Sequence, residues 1–140
     1  MIIGIVGSEA IKFTEKTKAK AKELITSIVK DFDGVSSGHC HLGGIDIWAE
    51  EIGKNLGKKL YIFKPAQLSW TGYKDRNIQI ALKSDAVYCI TVKELPEFYT
   101  GMKFDSCYHC KTTEHIKSGG CWTVKYAKRM GKPTKVFVIS

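Results

Sequence analysis

No apolar stretch of the sequence is long enough to cross a bilayer, and the opening run Met1 to Val6 lacks the length and basic leader of a secretory signal. Both absences predict a soluble, cytoplasmic protein. Internal repeats and low-complexity segments are also missing, which excludes repeat arrays and extended linkers. Acidic residues are scarce beside basic ones, 14 against 22, and the resulting charge of +8 favours anionic partners: nucleotides, nucleic acid or acidic surfaces. Lys12, Lys16, Lys18, Lys20 and Lys22 lack the aromatic interleaving of a single-strand platform and read as the solvated face of a helix. The five cysteines are an odd number in a chain without a secretion signal, which argues against a disulfide framework and towards burial or metal binding.

At 140 residues and 44% hydrophobic content, the chain is expected to form one domain spanning 1–140 with a real core. Ile2 to Val6 reads as a buried strand. Ala21, Leu24, Ile25, Ile28, Val29 and Phe32 then recur at helical spacing on a helix starting near Thr14 and stopped by Asp33-Gly34. Val35 to Ser37 is a short strand, Ile45, Trp48, Ala49, Ile52 and Leu56 make the inner face of a helix ended by Gly57, and Leu60 to Phe63 is a third strand. A polar loop holding Trp70 and Gly72 precedes a helix with Ile78, Ala81 and Leu82 inward, then a strand from Ala86 to Val92. An insertion, 93–117, interrupts the alternation before a helix from Gly120 to Met130 and a strand from Lys135 to Ile139. Such alternation predicts an α/β fold with a mainly parallel five-stranded sheet covered on both faces.

Two glycine-rich turns each follow a strand and open a helix: Ser37 to Asp46, with Gly38, Gly43 and Gly44, and Ser118 to Thr123, with Gly119 and Gly120. Glycine lets backbone approach a ligand, and the helix start offers N–H groups and a positive dipole end, so each turn reads as an anion cradle. Gly7-Ser8-Glu9 is a third turn at the carboxyl end of a strand, where ligands of open parallel sheets bind. Arg76 has a fork suited to phosphate, and Asn77 beside it reads as a hydroxyl contact or helix cap.

Cys107, Cys110, His115 and Cys121 are separated by two, four and five residues, close to the spacing of a zinc knuckle. A structural zinc would supply the stability that so short an insertion cannot draw from a core of its own. Other readings stay open: Cys107 and Cys110 as a redox pair or free thiols, and Cys121 as a member of the glycine turn. His39, Cys40, His41 and His109 are competing donors, and Cys89 reads as a buried strand residue.

Taken in order, Gly7-Ser8, Ser37-Gly38 leading to Gly44-Ile45-Asp46 with Ala49-Glu50-Glu51, Arg76-Asn77 ahead of Ser84-Asp85-Ala86, and Ser118-Gly119-Gly120 with Thr123 resemble the SLOG superfamily over nearly the whole chain. That group joins DprA-type DNA-processing proteins, LOG-type phosphoribohydrolases and small YspA-like or YpsA-like proteins, and the likeness is nearest to the small members. The resemblance implies a Rossmann-like three-layer sandwich, a cleft for a nucleotide or nucleotide-derived ligand, and a homodimer. Phosphate is expected on Gly119, Gly120 and Thr123 or on Gly43 and Gly44, paired with Arg76, and sugar hydroxyls on Asp46 or Glu9. Arg76 matches the catalytic arginine of the LOG branch, but the acidic positions after its glycine turn are Lys125 and Tyr126 here, the proline is Ser118, and the glycine before the threonine is Trp122. Hydrolysis of a glycosidic bond needs a proton-transfer group, so ligand binding, as sensor or as enzyme of unknown substrate, ranks above LOG-like nucleoside monophosphate hydrolysis and above DprA-like nucleic-acid binding. His39 stands where relatives carry a second glycine.

Overall fold

A computed structural model describes residues 1–140. Strands β1 (Ile2–Gly7), β2 (Gly34–Ser37), β3 (Lys59–Ile62), β4 (Ala86–Val92) and β5 (Thr134–Ile139) alternate with helices α1 (Glu15–Val29), α2 (Ile45–Asn55), α3 (Trp70–Lys83) and α4 (Gly120–Arg129). All strand pairs are parallel, in the order β3-β2-β1-β4-β5. Strand order therefore reverses between β1 and β4, whose register pairs Ile3 with Ala86 and Gly7 with Ile90.

The period of two in the central strands divides the core. Ile3 and Ile5 of β1, with Ala86, Ile90 and Val92 of β4, point to one face and pack with Ala21, Ile25 and Val29 of α1 and Ile45, Trp48 and Ala49 of α2. Val6, Val87 and Cys89 point to the other, against Ile80 and Ala81 of α3 and Cys121, Val124 and Ala127 of α4. Thr14 and Thr17 cap α1 reciprocally, with Thr14 Oγ1 accepting from the Thr17 N–H, which places its start where the sequence predicted.

Three expectations are corrected. Trp70 and Gly72 belong to α3 rather than to a loop, because Ser69 Oγ accepts the Gly72 N–H and caps the helix there. The face of α3 turned to the sheet carries Asn77, Ile80 and Ala81, which are buried, whereas Leu82 points outward and is more than half exposed. In α2 the inward ridge runs Ile45, Ala49, Gly53 at spacing four, with Gly53 against Leu60 and Val35, so Leu56, already past the last turn, is exposed.

No helix is long and apolar enough to cross a membrane. The insertion 93–117 leaves the end of β4 and returns to the start of α4.

Candidate functional site

A cleft of about 630 Å³ opens at the carboxyl ends of β1 and β4, the place where strand order reverses. Gly7, Ser8, Glu9, Asp46, Arg76, Asn77, Ser118, Gly119, Gly120 and Thr123 line it, so three turns distant in sequence meet in one site. Ser37, Gly38, Gly43 and Gly44 do not line it. Ser37 is fully buried and its Oγ donates to the Ile5 carbonyl at 2.9 Å, tying β2 to β1. Gly44 has φ +91°, and a Cβ there would lie 2.3 Å from the Ser8 carbonyl oxygen. That carbonyl accepts the N–H of Ile45 at 3.1 Å and so caps the first N–H of α2, while His39, Cys40, His41 and Leu42 of the same turn line the cleft beside Asp46.

Gly38 serves Arg76. A Cβ at Gly38 would come within 2.6 Å of Arg76 Nη1, and the guanidinium occupies that space, donating from Nη1 to the Gly38 carbonyl and from Nε to Asn77 Oδ1, each at 2.8 Å. Asn77, itself buried, thus orients the arginine, and the Tyr73 ring lies 5.6 Å from the guanidinium carbon. His39 adopts φ +49°, the conformation that makes glycine natural at that position, and its Nδ1 pairs with Glu50 at 2.6 Å.

Asp46 is 7% exposed in the first turn of α2. Burial pushes its carboxyl up to about 6, against the opposing pull of Arg76 and the Cys40 backbone N–H. Lys12, expected on a solvated helix face, precedes α1 in a short 3₁₀ turn, lines the cleft and donates to the Lys117 carbonyl at 3.2 Å. Burial lowers its pKa, with Lys117 adding to the effect and Glu9 opposing it.

The second glycine turn keeps its open side towards the cleft. Ser118 Oγ accepts the N–H of Gly120 at 3.1 Å, and nothing lies within 4 Å of where a Cβ on Gly119 would stand. Gly120 is enclosed instead, since a Cβ there would be 2.9 Å from both the Gly7 nitrogen and Cys89 Sγ. Thr123, also cleft-lining, is fully buried and its Oγ1 has no hydrogen-bond partner, an arrangement that costs about 1–3 kcal/mol unless a ligand or water satisfies it. Lys125 and Tyr126 do not line the cleft.

Beside this turn the ligand atoms of Cys107, Cys110, His115 and Cys121 all lie within 4.8 Å of one another. None of the competing donors His39, Cys40, His41 and His109 joins the group. Cys107 and Thr112 exchange backbone hydrogen bonds of 2.9 and 3.3 Å around a tight turn, with Lys111 at φ +55°, which brings Cys107 and Cys110 to one side. His115 Nδ1 lies 3.0 Å from the Ile116 carbonyl; the ring proton therefore belongs on Nδ1 and Nε2 is left to bind a metal. Burial raises the Cys107 thiol, but N–H groups of Cys110 and Ser118 and the Cys121 thiol outweigh it and bring the net shift down. Burial and the neighbouring thiols push Cys110 up to about 12. Three sulfurs and an imidazole form a donor set that could hold a metal ion. All five cysteines are free.

Sequence reasoning missed the cleft's other wall. Leu68, Trp70 and Tyr73 from the start of α3, with Tyr99, Met102 and Phe104 from the insertion, line it. Leu68, Trp70, Met102 and Phe104 are exposed there despite their apolar character, forming a rim above a basic floor. The expected loop at Trp70 hid this, because only the Ser69 cap turns that residue towards the cleft.

The fold and cleft define a parallel α/β protein with a cleft at the topological switch point. No family model and no curated protein matches the sequence. Solved structures share the fold. DNA processing protein A (DprA) from Streptococcus pneumoniae superposes with a TM-score of 0.61 and 14% identity, covering 96% of this chain and 49% of that one. The molybdenum cofactor carrier protein of Chlamydomonas reinhardtii gives a TM-score of 0.60 and 17% identity, covering 96% and 74%. The chain spans about half the length of the DprA chain.

Proposed function

We propose that the cleft binds a nucleotide or nucleotide-derived ligand, phosphate end down, and that Cys107, Cys110, His115 and Cys121 hold a structural zinc. The observation that carries the ligand reading is the buried, unpartnered Thr123 Oγ1 near the open space at Gly119, at the start of α4. A phosphate there meets the helix N-terminus, with Lys12, Lys117 and Arg76 on the same cleft to balance its charge. Asp46 then faces sugar hydroxyls, and Trp70, Tyr73 and Phe104 offer flat faces for a base.

The SLOG-like order of motifs supports this reading, as does the fold shared with a DNA processing protein and a molybdenum cofactor carrier protein. Binding is favoured over hydrolysis because the residues at the LOG acidic positions lie off the cleft. Asp46 is the carboxyl best placed to donate a proton should the ligand be cleaved.

Thermal denaturation with a panel of nucleoside mono- and diphosphates tests the proposal. Saturation at about a hundred times Kd should stabilise the protein by about 2.7 kcal/mol, and Arg76→Ala should abolish the gain. Arg76→Lys should not restore it, since lysine cannot hold the Gly38 carbonyl and Asn77 while presenting a second N–H edge. Absence of stabilisation by every nucleotide, together with DNA affinity that falls steeply with salt, would instead assign the basic cleft to nucleic acid.

A further inference from the structure

We infer that the metal site is a clamp on the ligand site: an ion held by Cys107, Cys110, His115 and Cys121 fixes the anion loop Ser118-Gly119-Gly120, so that metal and ligand each strengthen the other's binding. The inference rests on the ligand reading above and adds how that site is controlled.

The chain order carries the argument. His115 and Cys121 donate from the two ends of a segment that contains the whole loop, and their ligand atoms lie within 4.8 Å of each other. A metal bonded to both therefore closes residues 116–120 into a ring. Lys117, Ser118, Gly119 and Gly120 of that ring all line the cleft.

Other restraints on the segment are hydrogen bonds. The Ile116 N–H donates to the Val92 carbonyl at 2.8 Å, Thr91 Oγ1 donates to the Ile116 carbonyl at 3.0 Å, and Lys12 holds the Lys117 carbonyl. Further in, Ser118 Oγ accepts the Gly120 N–H, and the Ser118 and Gly119 carbonyls accept the N–H groups of Cys121 and Trp122, each at 3.1 Å, all of them bonds local to the turn. Gly119, with nothing within 4 Å of where a Cβ would stand, carries the conformational entropy of glycine, which must be lost before the loop converges on an anion.

The rest of the insertion depends on the same ion. Of residues 93–117 only Cys107 belongs to either apolar core, and only Ile116 packs against one. Yet this segment supplies Tyr99, Met102 and Phe104 to the cleft rim, and Phe104 and Tyr108 flank the Lys117 ammonium at 4.9 and 5.4 Å. An ion at the tetrad thus orders both a phosphate loop and an apolar wall in advance of the ligand, and affinity rises because less order is lost on binding. Linkage makes the effect reciprocal, in the common range of about 5–150-fold.

Zinc-loaded protein and protein stripped by a chelator under reducing conditions are titrated calorimetrically with AMP and with inorganic phosphate. AMP affinity is expected to fall about tenfold or more on stripping, and equally in Cys110→Ser, whose side chain is off the cleft. In a competition that starts from intact zinc-loaded protein, saturating AMP should raise the chelator concentration needed to remove half the zinc by the same factor. This second measurement decides the matter even if the stripped protein or the variant fails to fold. Equal AMP affinity with and without zinc, or a chelator midpoint unmoved by AMP, overturns the clamp and leaves the ligand site standing. Failure of AMP and phosphate to bind the zinc-loaded protein removes the ligand site, and the clamp with it.

Discussion

Asp46 combines two placements that normally oppose each other. A carboxylate in the first turn of a helix is stabilised by the dipole, yet burial here raises its pKa from 3.8 to about 6. Because the folded state holds the proton more tightly than the unfolded chain, the group costs nothing below about pH 4. The cost grows as pH rises and is complete above about 6, where it reaches about 3 kcal/mol at about 1.4 kcal/mol per pKa unit. Asp46→Asn is therefore expected to raise the urea midpoint at pH 7 and leave it unchanged at pH 3.5. Equal effects at both pH values would show that the carboxyl is not desolvated in the folded protein. At the same scale, Gly38 and Asn77 both seat Arg76, Gly38 from outside the cleft and Asn77 from its lining.

At the scale of elements, the two glycine turns part company. The start of α2 is capped by the Ser8 carbonyl, and Gly43 and Gly44 take φ values of +75° and +91° to let that loop approach. The start of α4 keeps its open side to the cleft, and within it adjacent glycines differ. Gly119→Ala meets nothing and suits φ −61°, so stability should be unchanged or slightly higher while ligand affinity falls. Gly120→Ala drives a methyl into Cys89 and the Gly7 backbone, and should cost about 1–3 kcal/mol in urea unfolding. A comparable loss in both variants would mean that the turn is packed throughout and offers no open cradle. The misplaced start of α3 belongs here too: the helix begins at the Ser69 cap, and its inward face is set by packing of Asn77, Ile80 and Ala81, which the periodicity over Ile78, Ala81 and Leu82 does not specify.

At the scale of the molecule, stability should be uneven. The strands and helices supply every residue of the two apolar cores except Phe13 and Cys107, so the insertion has almost no apolar anchor. Chelation of zinc is expected to strip hydrogen-exchange protection from amides of 93–117 while β1 and β4 keep theirs; simultaneous loss everywhere would make the metal a determinant of the whole fold. Much of that fold was legible in order alone, because alternating buried strands and amphipathic helices leave a parallel sheet as the main way to cover both faces. The Cys107, Cys110, His115 and Cys121 set was legible too, since a two-residue gap and short local spacings bring donors together with little help from the remainder of the chain. The composition of the cleft was not. Lys12 looked like one more solvated lysine, Trp70 like part of a loop, and Gly43 and Gly44 like a phosphate cradle. Sequence by itself determined the layers, the strand-to-helix turns and the metal-donor set, all of which follow from local periodicity and spacing. Tertiary structure alone decided which residues of each turn face the cleft, because that depends on how β1, β4 and the insertion close around the switch point and on which backbone groups are already hydrogen-bonded there.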